Sequence, residues 1–141
     1  MPSSSTVVSS PVLTVMKYHR FLAFGLGILM VFFPGPMHCG CLSRELSHYE
    51  VLTFRMWGFF VFFLSHAVHT CVVLGTPALR LQIAKGLCAM FTAGSSLYIY
   101  ERFVNSDQEP TIAVLYVSIF GSLAVAYGTA ILNEKDEAKQ E

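Results

Sequence analysis

Charged side chains are scarce in this sequence, and none occurs in residues 111–132. Asp, Glu, Lys and Arg make up 13% of the chain, about half of the share that is usual in soluble domains. A helix rises about 1.5 Å per residue, so the uncharged run would be about 33 Å long, close to the hydrocarbon thickness of a bilayer. The shortage of charge therefore predicts an integral membrane protein.

Catalytic signatures are also missing. The sequence has no G-x-S-x-G, Walker A or H-E-x-x-H pattern, and no acidic residue lies within the apolar segments. A carboxylate base or a proton relay inside the bilayer is therefore not expected, and enzymatic function is disfavoured. The formal net charge is zero, which provides no electrostatic attraction for nucleic acid.

Cysteine is sparse, and its positions argue against a disulfide framework. Cys71 and Cys88 fall inside predicted helices, where cysteine usually behaves as a small apolar residue. Four soft-metal donors lie near the predicted outer loop: His38, Cys39, Cys41 and His48. The Cys-x-Cys spacing is tighter than zinc sites prefer, so we favour coincidence over a metal site.

The sequence does contain four apolar segments separated by helix-breaking residues. We predict an all-α fold, namely a four-helix transmembrane bundle of antiparallel, up-down helices joined by short loops. The predicted helices cover about residues 12–33, 50–74, 77–100 and 111–132. Pro34 ends the first helix, and the Gly75-Thr76-Pro77 step separates the second from the third.

Both ends of the chain are polar. Residues 1–11 are rich in Ser and are expected to be disordered, and residues 133–141 are expected to form a charged tail. A secretory signal is the alternative interpretation of the first helix, because basic residues precede its apolar core. The long leading segment and the proline at the boundary disfavour cleavage.

Basic residues are distributed unevenly between the two sides of the predicted bundle. Four crossings place both termini on one side. That side holds Lys17, Arg20, Arg80, Lys85, Lys135 and Lys139. The opposite side holds Arg44, Arg55 and Arg102. Because positive residues favour the inner side of a membrane, we predict that both termini face the cytoplasm, or the matrix or stroma of an organelle.

Small residues recur at helical spacing in the last two predicted helices. In the fourth helix they are Ser118, Ser122, Ala126 and Ala130, with Ala124 and Gly128 as a second small pair; in the third they are Ala89 and Ala93, with Gly86 and Gly94 nearby. Because lipid tails are as apolar as leucine, close backbone packing must hold membrane helices together. We therefore predict that the third and fourth helices pack against each other through these stripes.

Arg55 and Glu101 lie near the outer ends of the second and third predicted helices, at similar depth. An ionic side chain that faces lipid is destabilising, so pairing would relieve both residues. The equally supported alternative is that each side chain faces the headgroup zone separately.

His66 and His69 share one face of the second predicted helix, since a spacing of three residues places them on consecutive turns. Two imidazoles in the inner half of a membrane could hold haem, a metal or a quinone headgroup. However, no histidine occurs in the third or fourth helix to complete a haem site, and the first helix offers only His19, which we place near the inner membrane surface with Lys17 and Arg20. We favour a structural hydrogen-bonding role and expect no cofactor.

The helix layout, with a Phe-Phe-Pro step at residues 32–34 and Arg-Met-Trp-Gly at residues 55–58, resembles the small DoxX-like four-helix membrane proteins. The resemblance covers most of residues 17–132. Proteins of that group are mostly of unknown function, and some are linked to quinone-dependent redox systems. The resemblance implies the fold and transfers no functional residue.

These observations predict a non-enzymatic, multi-pass membrane protein that serves as an accessory or scaffold subunit of a larger membrane complex. Its expected partners are lipids and other membrane proteins. The alternative is a redox or cofactor-binding membrane protein that uses His66 and His69.

Overall fold

The chain folds into four α-helices in a computed structural model that describes residues 10–35, 47–104 and 110–137. The helices are α1 (Pro11–Phe32), α2 (His48–Leu74), α3 (Pro77–Val104) and α4 (Pro110–Glu137). The prediction of an all-α fold with four helices is confirmed. Outside the described residues lie residues 1–9, 36–46, 105–109 and 138–141, so the predictions for His38, Cys39 and Cys41 fall outside them.

Local capping explains where the first two helices begin. The Ser10 side chain accepts a hydrogen bond from the Leu13 N–H, and Pro11 occupies the first turn, so α1 starts within the segment that we expected to be disordered. At α2, Ser47 and Glu50 form a reciprocal capping box. At the other end of the chain, α4 continues to Glu137, whereas the sequence pattern placed its end near residue 132.

Two glycines bring α1 and α2 into backbone contact. A Cβ added to Gly27 would lie 3.0 Å from the Phe62 nitrogen, and one added to Gly58 would lie 2.9 Å from the Val31 nitrogen. Further along, the Ser65 hydroxyl donates to the Arg20 carbonyl at 2.7 Å. The later part of α1 therefore lies beside the earlier part of α2, at a distance that larger side chains would prevent.

The second close pair is α3 with α4. The Ser95 hydroxyl donates to the Val117 carbonyl at 3.2 Å, and the Cys88 thiol donates to the Ala124 carbonyl at 3.5 Å. A Cβ on Gly94 would lie 3.0 Å from the Phe120 ring. Small side chains thus do allow close approach of these helices.

Of the small residues that the sequence pattern indicated, Gly94, Ala124 and Gly128 lie at this contact, whereas most of the main stripes do not. Ala89, Ala93, Ser118 and Ser122 are exposed, and Ala126 is half-buried. Only Ala130 is buried, and it lies in the shared core. The predicted stripes are therefore wrong as the α3–α4 interface, because a four-residue spacing defines a helix face without showing which neighbour that face meets.

The buried core lies at one end of the bundle. It combines the start of α1, the end of α2, the first half of α3 and the end of α4. Its members are Val12, Met16, Val68, Cys71, Val72, Ala84, Leu87, Phe91, Tyr127 and Ala130. Contacts between α1 and α4 join the two helix pairs at this end.

Three segments are long and apolar enough to cross a membrane: Pro11–Phe32, His48–Leu74 and Val114–Glu134. This supports the membrane class for three of the four expected crossings. Within the described chain, α3 does not reach the same apolar character, because Arg80, Gln82 and Lys85 occupy its first turns and several Ser and Thr residues follow.

Gly58→Ala tests the backbone contact between α1 and α2. The new Cβ would lie 2.8 Å from Val31 Cγ2 and 2.9 Å from the Val31 nitrogen, so one helix must shift. We expect a loss of about 1–3 kcal/mol, as for other overpacked interiors, measured by thermal unfolding in detergent. Gly25→Ala is the matched control, since nothing lies within 4 Å of its added Cβ. Equal stability of the two variants would contradict this packing.

Candidate functional site

A buried polar pair joins α1 to α4. His19 Nδ1 lies 2.7 Å from the Tyr127 hydroxyl, and the two side chains are 3% and 0% exposed. The Phe91 ring packs beside both, with its centroid 5.2 Å from that of His19 and 6.2 Å from that of Tyr127. The bundle therefore encloses a hydrogen bond in an apolar cage, where each polar group depends on the other.

Sequence reasoning missed this pair. His19 stands between Lys17 and Arg20, so we grouped it with side chains near the inner membrane surface. The helical phase separates these neighbours: Met16, His19 and Ala23 are buried, whereas Lys17 and Tyr18 are exposed. The spacing of Val12, Met16, His19 and Ala23 was an available signal for a buried face.

Arg20 and His69 form a contact between α1 and α2. Arg20 Nη1 lies 3.0 Å from His69 Nδ1. Because a guanidinium only donates hydrogen bonds, His69 Nδ1 must accept, and the proton of the neutral imidazole then resides on Nε2. Arg20 also places its Cζ 4.6 Å from the centroid of the Phe21 ring.

This contact forms part of an open groove of about 320 Å³ between α1 and α2. One part of the groove is polar, with Arg20, Ser65, His66 and His69. Three aromatic rings complete the lining: Phe21, Phe24 and Phe62. His66 and His69 thus line one site, and the structure adds a cation that the sequence pattern did not associate with them.

The groove does not supply a full set of metal ligands. Within the residues that the structure describes, no three His, Cys, Asp or Glu side chains come together in a manner that could hold a metal ion. Cys71 is buried in the core, and Cys88 donates to a carbonyl of α4. His69 Nδ1 is already engaged by Arg20, which leaves the His66 ring and His69 Nε2 facing the groove region.

Polar contacts also tie helix ends together at the core end of the bundle. The Ser10 hydroxyl donates to the Glu134 carboxylate at 2.7 Å, and the Val12 N–H donates to the same carboxylate at 3.3 Å. A carboxylate at the start of α1 favourably meets the positive end of the helix dipole. Arg80 similarly donates to the Val72 carbonyl at 2.9 Å, near the end of α2.

The remaining sequence candidates lie apart from the groove. Arg55 is exposed on α2, and the side chain of Glu101 is outside the described part, so their pairing stays a prediction. Ser118 lines a smaller open groove of about 230 Å³ near the Tyr98 and Arg102 side chains. His48 is the exposed first residue of α2.

The chain matches no protein-family model, no curated protein and no solved structure. Kinship with the DoxX-like proteins therefore stays a prediction.

Replacing one member of the buried pair tests its contribution to stability. Tyr127→Phe leaves His19 Nδ1 buried without its partner, so we expect a loss of about 1–3 kcal/mol in thermal unfolding. His19→Phe/Tyr127→Phe removes both polar groups, and its loss should be smaller than the sum of the two single losses. Tyr100→Phe is the control, because Tyr100 is 59% exposed. Additive losses would show that the two side chains are not coupled.

Proposed function

We propose that this chain is a four-helix integral membrane protein of non-enzymatic type, serving as an accessory or scaffold subunit of a larger membrane complex. Three helices have the length and apolar character for crossing a bilayer. In this proposal α3 crosses as well, enclosed by its neighbours and by a partner, and successive helices alternate in direction. The resemblance to DoxX-like proteins is compatible with this architecture.

The surface of α2 supports placement in lipid. Trp57, Phe59, Phe60 and Phe63 are all more than half exposed. In water these rings would form an extended apolar patch of the kind that marks an interface or a membrane contact. In a bilayer these rings contact lipid and are not exposed to water, which would be unfavourable. A bilayer also explains why the His19–Tyr127 hydrogen bond lies inside while the aromatic rings lie outside.

The observation that carries the accessory role is the outward face of α3. This face lies opposite the buried Phe91 ring. It includes the exposed residues Gln82, Gly86, Ala89, Ala93 and Ser96, and it continues to the exposed aromatic Tyr100 near the end of the helix. A lipid-facing helix normally presents large apolar side chains, whereas small residues four positions apart permit a second helix to approach closely.

The same face lies on the helix with the weakest apolar character of the four. Ser96 donates back to the Thr92 carbonyl, so its hydroxyl is satisfied within the helix and does not oppose burial against a partner. A neighbouring transmembrane helix would cover the small face and shield α3 from lipid. The proposed accessory role therefore depends on another chain covering this face of α3.

The proposed orientation places both termini on the inner side. The contact of Ser10 with Glu134 holds the start of α1 and the end of α4 at one end of the bundle, which supports a common side for them. That side carries six of the nine basic residues, as the positive-inside rule favours.

The alternative function is a redox or cofactor-binding membrane protein that uses His66 and His69. The observation in its favour is that both side chains line the same groove. Against a haem or metal centre stands the contact of Arg20 with His69 Nδ1, together with the absence of a third donor among the described residues. We therefore rank this function second.

Ala89→Leu/Ala93→Leu tests the accessory role. In mild detergent the native protein should have a mass above that of the monomer, and the double variant should shift toward the monomer because leucine blocks close helix approach. Both sites are exposed, so thermal stability of the isolated bundle should change by less than about 0.5 kcal/mol. Val125→Leu, at a 66% exposed site on α4, is the control and should keep the larger mass. A strictly monomeric native protein would contradict the proposal.

An absorption spectrum with metal analysis distinguishes the alternative. We expect purified protein to show no haem bands and no stoichiometric metal, and His66→Phe/His69→Phe to leave both measurements unchanged. A haem band that the double variant lacks would instead establish the cofactor-binding function.

A further inference from the structure

The groove between α1 and α2 contains a cation without a compensating anion. None of the described residues that line it is acidic. The only hydrogen bond from the Arg20 guanidinium within the described structure goes to His69 Nδ1, and Arg20 Nε is buried with no hydrogen-bond partner there. A guanidinium carries five N–H donors, so most of its hydrogen-bonding capacity is unused by the protein.

The direction of the Arg20 side chain places its charge toward the inner surface. The Arg20 carbonyl is level with Ser65, whereas its guanidinium reaches His69, which is four residues further along α2 and hence about 6 Å nearer the core end of the bundle. His69 lies five residues before Leu74, the last residue of α2, or about 8 Å from that helix end. The charge is thus within the range where arginine reaches lipid headgroups.

The remaining lining suits an acyl chain. Phe24 and Phe62 pack with ring centroids 5.4 Å apart and are 46% and 39% exposed, so an apolar surface continues from the cation toward the bilayer centre. The His66 and His69 side chains add further polar groups to the groove lining. A polar site at the inner side with an apolar track toward the centre has the layout of a phospholipid.

We propose that this groove binds the phosphate group of an anionic phospholipid from the inner leaflet. The proposal rests on the membrane placement argued above. Arg20 supplies the charge and the hydrogen-bond donors, His69 Nε2–H and the His66 imidazole supply further polar contacts, and Phe24 and Phe62 pack along the acyl chain. A planar guanidinium matches the oxygens of a phosphate by bidentate hydrogen bonding.

The experiment measures lipid retention by native mass spectrometry. The protein in mild detergent is titrated with phosphatidylglycerol or phosphatidylcholine. We expect the native protein to retain phosphatidylglycerol at a lipid concentration about tenfold lower than it needs for phosphatidylcholine. Arg20→Gln should abolish this preference, because it removes the charge-assisted hydrogen bonds. Lys17→Gln is the matched control, since Lys17 is an exposed cation on the same helix outside the groove lining, and it should keep the preference.

Three results would overturn the proposal: equal retention of the two lipids by the native protein, an undiminished preference in Arg20→Gln, or an equal loss in Lys17→Gln. His66→Phe is the second variant, for use if Arg20→Gln fails to fold. Because His66 is exposed, this substitution should weaken retention of phosphatidylglycerol without unfolding the bundle. If Arg20→Gln is unfolded and His66→Phe still prefers phosphatidylglycerol as strongly as the native protein does, the proposal is likewise overturned.

A parallel arm uses inorganic phosphate with phosphatidylcholine alone. The melting temperature is measured for the native protein and for Arg20→Gln. If inorganic phosphate raises that of the native protein as strongly as phosphatidylglycerol does, and leaves that of Arg20→Gln unchanged, the ligand is a free anion and the lipid assignment is overturned. Extraction of membranes with carbonate tests the membrane placement separately from the lipid site. Release of the protein would overturn the membrane function itself, whereas retention combined with lipid-independent behaviour would overturn only the lipid site.

Discussion

In the proposed membrane placement, a backbone or side-chain polar group buried in the bundle has no water to bond, and the contacts of α1 supply such groups with partners on other helices. The His19 imidazole meets the Tyr127 hydroxyl of α4, the Arg20 carbonyl accepts from Ser65 of α2, and the start of the helix donates to Glu134. Each contact joins α1 to another helix. Glycine at positions 27 and 58 lets α1 and α2 approach closely, on the same side of α1 as the Ser65 hydrogen bond. The close backbone contact of α1 with α2 and the Ser65–Arg20 hydrogen bond therefore belong to the same helix pair.

The outside of the bundle reflects two different environments. The aromatic surface of α2 is suited to lipid, whereas the small outward face of α3 is suited to a protein neighbour. The groove at Arg20 lies between α1 and α2, separate from the α3 face. A subunit that presents one helix to a partner and holds a lipid on another side would couple the stability of a complex to its membrane surroundings.

The all-α class and the four helices could be predicted because apolar length and helix-breaking residues are local properties of the chain. The shared face of His66 and His69 followed from helical periodicity in the same way. Small-residue spacing predicted that α3 packs on α4 but not through which face, since Ala89 and Ala93 proved to be exposed while Gly94 and Ser95 make the contact. His19 was misplaced for a related reason: its charged neighbours in sequence point in other directions around the helix.

The sequence by itself determined the number of helices, their approximate extents and the apolar character that would let three of them cross a membrane, because each of these depends on residues close together along the chain. Only the tertiary structure decided which helix faces meet, that His19 is buried against Tyr127, and that Arg20 joins the two histidines of α2 in one groove. Those outcomes depend on the rotation of each helix about its own axis. That rotation is set by packing between residues far apart in sequence, as in the 108-residue separation of His19 and Tyr127.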